Sequence, residues 1–465
     1  MAMSNIGVGA GLPLQTILDD LRKVENQSLA LIDSRASKVQ GRMSAYGTMK
    51  SAIEAFKTAS DALGKADTFG ALKTSGGGDY FSATATSKAI AGQYSIEVSQ
   101  LATAQTLTSA GQAERNVALA TDATDTVDIQ ITIDGETKTL TLDKADTSLE
   151  GIVKAINADS GLGVSATLIN DGGATPHHLL LTAKGTGEDA AVTAIQVVGS
   201  TELQDVIGFI KGAPPPAALE EAAAKNATLE INGIKVTSQT NTVTDAIEGV
   251  TLTLTKQNTV GETTNLSVTR DDSVTSKAVN TFVTAYNNLQ GIIKTLTSYN
   301  VDSQTGSALT GDSLARQVQS QVRDALNVAG TSGAIRTLSQ MGITTNPSDG
   351  VLKVDADKLA KALKDNMADV QALFSGETGI SKKMAAVADT FVKSGGLISS
   401  ATESMKTSLK DLEKQYAAAS DRIDQKMENY RQQFTRLDTM VAQMNSVSSY
   451  LTQQLSMLAN IGKEK

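Results

Sequence analysis

Residues 405–458 read MKTSLK DLEKQYAAAS DRIDQKMENY RQQFTRLDTM VAQMNSVSSY LTQQLSML, and this stretch decides the fold. Its apolar residues come at steps of four and three: Met405, Leu409, Leu412, Tyr416, Ala419 and Ile423. The spacing continues through Met427, Tyr430, Phe434, Leu437, Val441, Met444, Ser448, Leu451, Leu455 and Leu458. Two four-residue steps fall together at Ile423–Met427, the kind of insertion that locally unwinds a supercoil. No Pro or Gly interrupts the pattern before Gly462. At about 1.5 Å per residue the helix is on the order of 80 Å long, wider than one globular core. The pattern is a coiled-coil seam, and a seam needs a partner.

A matching pattern opens the chain. Pro13 suits the first position of a helix, because its missing N–H has no helical partner there anyway. Leu14, Ile17, Leu21, Val24, Ser28 and Leu31 follow in three-four alternation; the seam turns basic at Arg35, Lys38 and Arg42 and resumes through Met43, Tyr46, Met49, Ile53, Phe56 and Leu63. One reading makes the two ends helices of a single intramolecular bundle. The other, favoured by apolar stripes of this length, makes them parts of an assembly.

Between the ends the grammar changes twice. Ser75-Gly76-Gly77-Gly78-Asp79 breaks the first helix region as a hinge. Strands rich in Thr, Val and Ile follow, at Tyr80–Ala85, Tyr94–Val98 and Val127–Ile133. Asp134-Gly135 is a hairpin turn, since both residues tolerate the positive φ of a type I′ turn. The return strand is Thr139–Leu142, Ser148 caps a helix over Leu149–Asn157, and strands follow at Val164–Ile169 and Leu179–Thr182. Ala213-Pro214-Pro215-Pro216 closes this unit, and Leu219–Lys225 is a linker or short helix. Leu229–Gly233 echoes Ile131–Gly135, and Thr244–Ile247 echoes the capped helix start at Ser148–Ile152, so two β-rich units are expected, one nested in the other. Strands at Val250–Thr255 and Asn265–Arg270 complete the region. Helices return at Val274–Leu296, with Val279, Phe282, Val283, Tyr286, Leu289 and Ile293 on one face, and at Leu314–Leu326 behind Asp312 or Ser313 as cap. A hairpin at Ile343–Thr345 and Val351–Val354 precedes helices at Ala356–Asn366 and Ile380–Val392.

The fold class expected is therefore α+β multidomain: long terminal coiled-coil helices, a mainly helical head domain, and two nested β-rich domains inserted between them. The boundaries are 1–42 for the N-terminal leg helix, 43–78 with 275–400 for the head, and 79–110 with 226–274 for the first β-rich domain. The inserted β-rich domain takes 111–225, and the C-terminal leg helix 401–465.

Composition narrows the function classes. The chain has 465 residues, no Cys, no Trp and a net charge of -9. Thiolate metal sites, disulfides and cysteine nucleophiles are excluded, and no general basic surface exists for nucleic acid. No apolar run of about 18 residues is present to span a membrane, and the start MAMSNIGVGAGLPL lacks the pattern of a Sec-type signal. Gly7–Gly11 imitates a dinucleotide loop without the strand that should precede it. His177 and His178, the two histidines, read as a solvated loop pair facing opposite ways. Asp19-Asp20 and Asp271-Asp272 read as surface and boundary charge. No enzyme chemistry and no cofactor site emerge.

Several runs together resemble the flagellar filament-capping (hook-associated protein 2) family. They are Gly11-Leu12-Pro13-Leu14 with Ile17 and Leu21, Met43–Ala52, Phe282–Asn287, Met341–Thr344, Asp349–Leu352, Ala372–Gly376 and Ser449–Gln454. The likeness covers about 11–105 and 226–458, while 111–225 looks more weakly like the β-rich units of flagellin-type proteins. The resemblance implies a structural cap at the distal tip of the bacterial flagellar filament, exported by the flagellar type III apparatus, which folds in exported flagellin and prevents its leakage. It implies as partners the protein itself in a ring-like homo-oligomer, a pentamer, together with flagellin, hook–filament junction proteins and a cytoplasmic export chaperone on the C-terminal helix. No nucleic acid or membrane span is implied. The oligomer and flagellin interface is placed on the seams: Leu14, Ile17, Leu21, Val24 and Leu31 at one end, and Leu437, Val441, Met444, Leu451, Leu455 and Leu458 at the other. The alternative is a surface-exposed adhesive module on a coiled-coil stalk.

Overall fold

The computed structural model describes residue 11 and residues 13–213, 218–330 and 333–461, with side chains described as far as Met457. The glycine run at 7–11, apart from Gly11, and the prolines 214–216 lie outside the described residues. The chain forms two compact units, Met1–Phe69 with Ser273–Lys465, and Gly70–Asp272.

The first unit is helical and α-rich, as its 3.6-residue patterning predicts. One helix runs Leu14–Ala62 and another Leu397–Ile461. Pro13 sits one place before the first helix, its carbonyl accepting the Ile17 N–H at 3.2 Å. Asp272–Thr297 buries the face expected of it: Val279, Phe282, Val283, Tyr286, Leu289 and Ile293. Phe56, Phe282, Tyr286 and Phe374 form an aromatic centre, with Phe56–Phe282 centroids 5.1 Å apart and Phe282–Phe374 edge-on at 5.5 Å. Such tilted and edge-on pairs each add about 0.5–1.5 kcal/mol beyond their buried area. Around them pack Ser313–Leu326, Ala356–Asp365, Met367–Ser375 and Ile380–Val392. The polar stretch after residue 297 also holds a small hairpin, Tyr299–Asn300 against Thr305–Gly306.

Two of the runs that carry the family resemblance, Phe282–Asn287 and Asp349–Leu352, meet inside this unit. Tyr286 donates its hydroxyl to the Gly350 carbonyl at 3.1 Å. The Asn287 amide clamps Leu352 on both sides, Nδ2 to its carbonyl at 2.9 Å and Oδ1 from its N–H at 2.8 Å. The helix is thereby pinned to the hairpin of Ile343–Thr345 and Leu352–Val354. Tyr46 and Arg42 converge on Asp312 Oδ2 at 2.7 and 2.9 Å, while Asp312 Oδ1 caps the next helix through Ala315 N–H at 3.0 Å. Burial pushes the Tyr46 hydroxyl up to about 12, helped by its hydrogen bond to Asp312. Burial alone would raise the Asp312 carboxyl; the donors Tyr46, Ala315 N–H and Arg42 outweigh it and hold the group below its usual range.

The sheets of the second unit are antiparallel throughout. A five-stranded sheet, in the order Leu72–Gly76, Thr264–Arg270, Gly92–Gln100, Ala227–Ile231, Ile234–Ser238, faces a three-stranded sheet of Thr242–Ile247, Val250–Leu254 and Phe81–Ala85. Ile96, Val98, Leu229, Leu252, Leu266 and Val268 fill the space between. A second core, centred on Ile129, Ile131, Leu179, Leu181 and Ile195, lies between two four-stranded sheets and the helices Leu149–Ala158 and Thr201–Ile207. Between the two cores the chain crosses itself at Thr103 and Lys225, which exchange backbone hydrogen bonds of 2.9 and 3.2 Å.

The Asp134-Gly135 turn has φ of 48° and 77°, and Asn232-Gly233 repeats it at 49° and 86°, so the echo between the two units is real at the hairpin. It stops there. Thr242–Ile247 is a strand with an irregular register and Asp245 at φ 62°, not a capped helix start, because its Val243 and Ile247 are drawn into the sheet core.

Three other local readings change. Ser75–Asp79 is not a hinge but the tight passage between Leu72–Gly76 and Phe81–Ala85, strands of two different sheets; a Cβ on Gly77 (φ 87°) would stand 2.1 Å from the Phe81 carbonyl oxygen. Leu219–Ala222 is neither linker nor helix but a strand against Thr106–Ser109, with Leu219 buried. His177 and His178 begin the strand His177–Ala183 rather than a loop, and His178 Nδ1 lies 2.8 Å from the Ser109 carbonyl.

Candidate assembly surface

The terminal helices of the first unit pack on each other. Leu18, Ile423 and Met427 form a small core with Leu21, Leu29, Tyr430 and Phe434 against it. Further along, Ala45 and Tyr46 share the large core with Ala401 and Met405, so the two helices run antiparallel. Ion pairs Arg22–Asp424 and Glu25–Lys426 flank the contact, all four side chains part-exposed and therefore of modest energetic weight. On the C-terminal helix the inward face through Phe434 is the seam read from spacing, except at Tyr416, which is 36% exposed.

The N-terminal helix keeps a different face inward. Leu14 and Leu18 are buried, Leu21, Glu25, Leu29, Ile32, Ala36, Val39 and Met43 half-buried, and Tyr46 buried. This follows the 3.6-residue repeat of a straight helix. Leu14, Leu18, Leu21 and Glu25 alternate by four and three just as Leu14, Ile17, Leu21 and Val24 do, so the departure is a choice of face made in the first turn, where Ile17 and Leu18 are both apolar. Ile17, Val24 and Leu31 are left outside, 42%, 60% and 64% exposed. They stand at seven-residue intervals, and the same outer stripe continues into Lys38. The helix thus carries two apolar stripes, one satisfied within the chain and one open.

The C-terminal helix beyond Phe434 is open too. Leu437 is 40% exposed, Met444 65%, Leu451 54% and Leu455 66%, while Val441 is half-buried. The side chain of Leu458 lies outside the described residues. Met440, Val447, Tyr450 and Met457 widen the band. Fully covering a residue of this size is worth about 1.5–3 kcal/mol, and contiguous exposed apolar bands of this kind mark interaction surfaces. Spacing had not signalled Met440, Val447 and Met457, which flank the seam rather than continue it.

Among the described residues no group of three or more His, Cys, Asp or Glu is placed to hold a metal ion. Also among them, no helix is long and apolar enough to cross a membrane.

Residues 10–105 match the family described as Flagellar hook-associated protein 2 N-terminus, and residues 224–446 match its C-terminus. Flagellar hook-associated protein 2 of Escherichia coli (strain K12) is 39% identical over 474 residues, covering 99% of each chain. This chain belongs to the flagellar hook-associated protein 2 family. The Salmonella typhimurium (strain LT2) member is 38% identical over 469 residues, 98% of each chain. Among solved structures, the D1-D2-D3 domains of the flagellar cap protein FliD from Escherichia coli align with a TM-score of 0.69 at 39% identity, covering 78% of this chain and 99% of that one. The family segments flank the second β core and leave residues 106–223 between them. Of the runs quoted for the family, Phe282–Asn287, Asp349–Leu352 and Ala372–Gly376 build the head. Ser449–Gln454 does not: Tyr450 and Leu451 are 61% and 54% exposed, so packing within the chain gives them no role.

Proposed function

We propose that this protein is the structural cap at the distal tip of the bacterial flagellar filament, promoting folding and insertion of exported flagellin and preventing its leakage. The observation that carries the proposal is the open apolar band on the terminal helices, Ile17, Val24 and Leu31 on one and Leu437 to Leu455 on the other. A single chain leaves this band in water; an assembly covers it. Ile17, Val24, Leu31, Leu437, Val441, Met444, Leu451, Leu455 and Leu458 are the positions we assign to contacts with further copies and with flagellin, while Leu14 and Leu21, expected on the same surface, are taken up by packing within the chain.

In this reading the working form is a ring-like homo-oligomer, a pentamer, that also meets the hook–filament junction proteins during assembly. Export is by the flagellar type III route, and a cytoplasmic chaperone covers the C-terminal helix until export. Residues 1–42 and 401–465 act as legs, 43–78 with 275–400 as the head, and 79–110 with 226–274 together with the insert 111–225 as the β-rich plate. The adhesive alternative has no observation of its own in favour. Truncation after Phe434 tests the proposal: the head should fold, and filaments should fail to grow while flagellin accumulates in the medium. Filaments of normal length on the truncated protein would remove the terminal helix from the mechanism.

A further inference from the structure

Within the helical unit, three elements border a cleft of about 420 Å³. The helix Asp272–Thr297 contributes Gln290 and Lys294, one turn apart, and the helix Ser313–Leu326 contributes Gln319 and Arg323 at the same spacing. The hairpin turn around Asp349 closes the third side. Gln290 is only 3% exposed, and its Nε2 finds no acceptor within the protein. Its Oε1 is already taken by Gln319 Nε2 at 3.2 Å, which orients the amide with the donor left over. A buried donor without a partner is uncommon and asks for an explanation.

Of the two cations beside it, Arg323 also reaches the Tyr286 hydroxyl. Among the described residues neither Lys294 nor Arg323 joins an ion pair, whereas several exposed lysines and arginines elsewhere do. Arg323 lies against Gly350, where a Cβ would stand 3.0 Å from Nη2, so the glycine leaves the guanidinium its place. Asp349, the one carboxylate on the rim, has Oδ1 turned to the Val351 N–H at 3.1 Å. An ammonium and a guanidinium therefore border one opening with a net positive charge, and the unpartnered Gln290 amide is buried behind them.

We propose that this cleft is a recognition site for a carboxylate group. A carboxylate offers two oxygens that accept from a guanidinium fork and from a second donor at once, the geometry in which charge-assisted hydrogen bonds are strongest. The carboxylate can come from a free small acid or from an acidic side chain of a second polypeptide, and the chemistry in the cleft is the same.

The test is a titration of the full-length, isotopically labelled chain followed by the amide signals of residues 319–323 and 345–350. The probes are N-acetyl-glutamate N-methylamide, its glutamine analogue and sodium acetate. The expected result is saturable shifts confined to the cleft for the glutamate probe, with Kd in the range of about 1–10 mM, and none for the neutral analogue. Lys294→Gln and Arg323→Gln, both at exposed positions, should each weaken binding about tenfold, and Gln290→Leu about threefold or more. Acetate binding as well as the glutamate probe assigns the site to a free acid; a tighter glutamate probe assigns it to a polypeptide. Equal shifts with the glutamine analogue, shifts untouched by Lys294→Gln, or no saturation by about 50 mM would overturn the proposal.

Discussion

Two stretches of one helix obey the same three-four rule and meet opposite fates. Residues 405–434 lay their seam on the N-terminal helix and the head, with Ile423 and Met427 buried. Residues 437–457 carry an equally regular seam that stands mostly in water, Met444 at 65% and Leu455 at 66%. Periodicity reports that a stripe exists. It does not report what covers the stripe, because the energy of burial depends on apolar area removed from water and not on whose atoms remove it. The two stretches thus divide the helix into a part held by the fold and a part available to an assembly.

The largest break in that comparison comes from the held side. Phe282→Ala empties the centre of the aromatic cluster and should cost about 3–5 kcal/mol. Thermal unfolding of the helical unit should fall by many degrees, with the β-rich unit's spectroscopic signature retained. A loss under 1 kcal/mol would show that the head is not organised around this ring.

A smaller effect is expected at Asp312. Replacing it with Ala removes a helix cap and the acceptor shared by Tyr46 and Arg42. A cap alone is worth about 0.5–2 kcal/mol, and the shared acceptor takes the expected loss to about 2–3 kcal/mol. The carboxyl is held below its usual value of 3.8, so its contribution is present above that pH and lost as pH falls through the lower, folded value. Acid titration of the wild type should therefore show a stability loss below about pH 3.8 that Asp312→Ala does not share.

The insert sharpens the comparison from another side. Thr103 and Lys225 already hold the two crossing strands together, so joining 105 to 223 through a short Gly/Ser bridge should leave the five-stranded sheet and its core folded. Oligomers should persist and filament growth should be weakened at most. Complete loss of motility with normal oligomers would move the working surface from the helices to the β-rich plate.

The smallest effect belongs to His178. The Ser109 carbonyl, then Asp171, favour its protonated ring and raise its pKa above 6.5 against an opposing burial effect. Stability from this contact is full below pH 6.5 and fades as pH rises through the folded value. A ring titration by NMR should place the His178 midpoint above 6.5, and His178→Gln should flatten the pH dependence between about pH 6 and 8.

Most of the fold was legible because local rules and global packing agree in it. Asp134-Gly135 turned as the φ preference demands, Ser148 capped its helix through the Gly151 N–H, and Phe282 and Tyr286 went inward. Val192–Val198 and Thr201–Ile207 went unread, although Ser200 before the second is an ordinary cap accepting from the Leu203 N–H. Leu219–Ala222 misled because Glu and Ala favour helix in isolation, and only pairing with Thr106–Ser109 makes it a strand. The candidate surface was legible as a stripe at both ends. Which face of the N-terminal helix stays open was not, because Ile17 and Leu18 are both apolar and either continues a three-four stripe from Leu14; packing puts Leu18 inside and Ile17 outside. The Gln290 cleft left no sequence signal, since its cations come from two separate helices and its third side from a turn.

The central claim is that the open stretch is an interface and carries no weight in the folded monomer. Leu451→Asp and Leu455→Asp test it most directly, with thermal stability of the purified chain and filament growth measured on the same variants. Exposed substitutions of this kind change stability by about 0.5 kcal/mol or less, so the melting curve should hardly move. Placed in a covered helix contact, the same carboxylate costs several kcal/mol, so filaments should stop growing and flagellin should appear unpolymerised in the medium. Full-length filaments at unchanged stability would contradict the account.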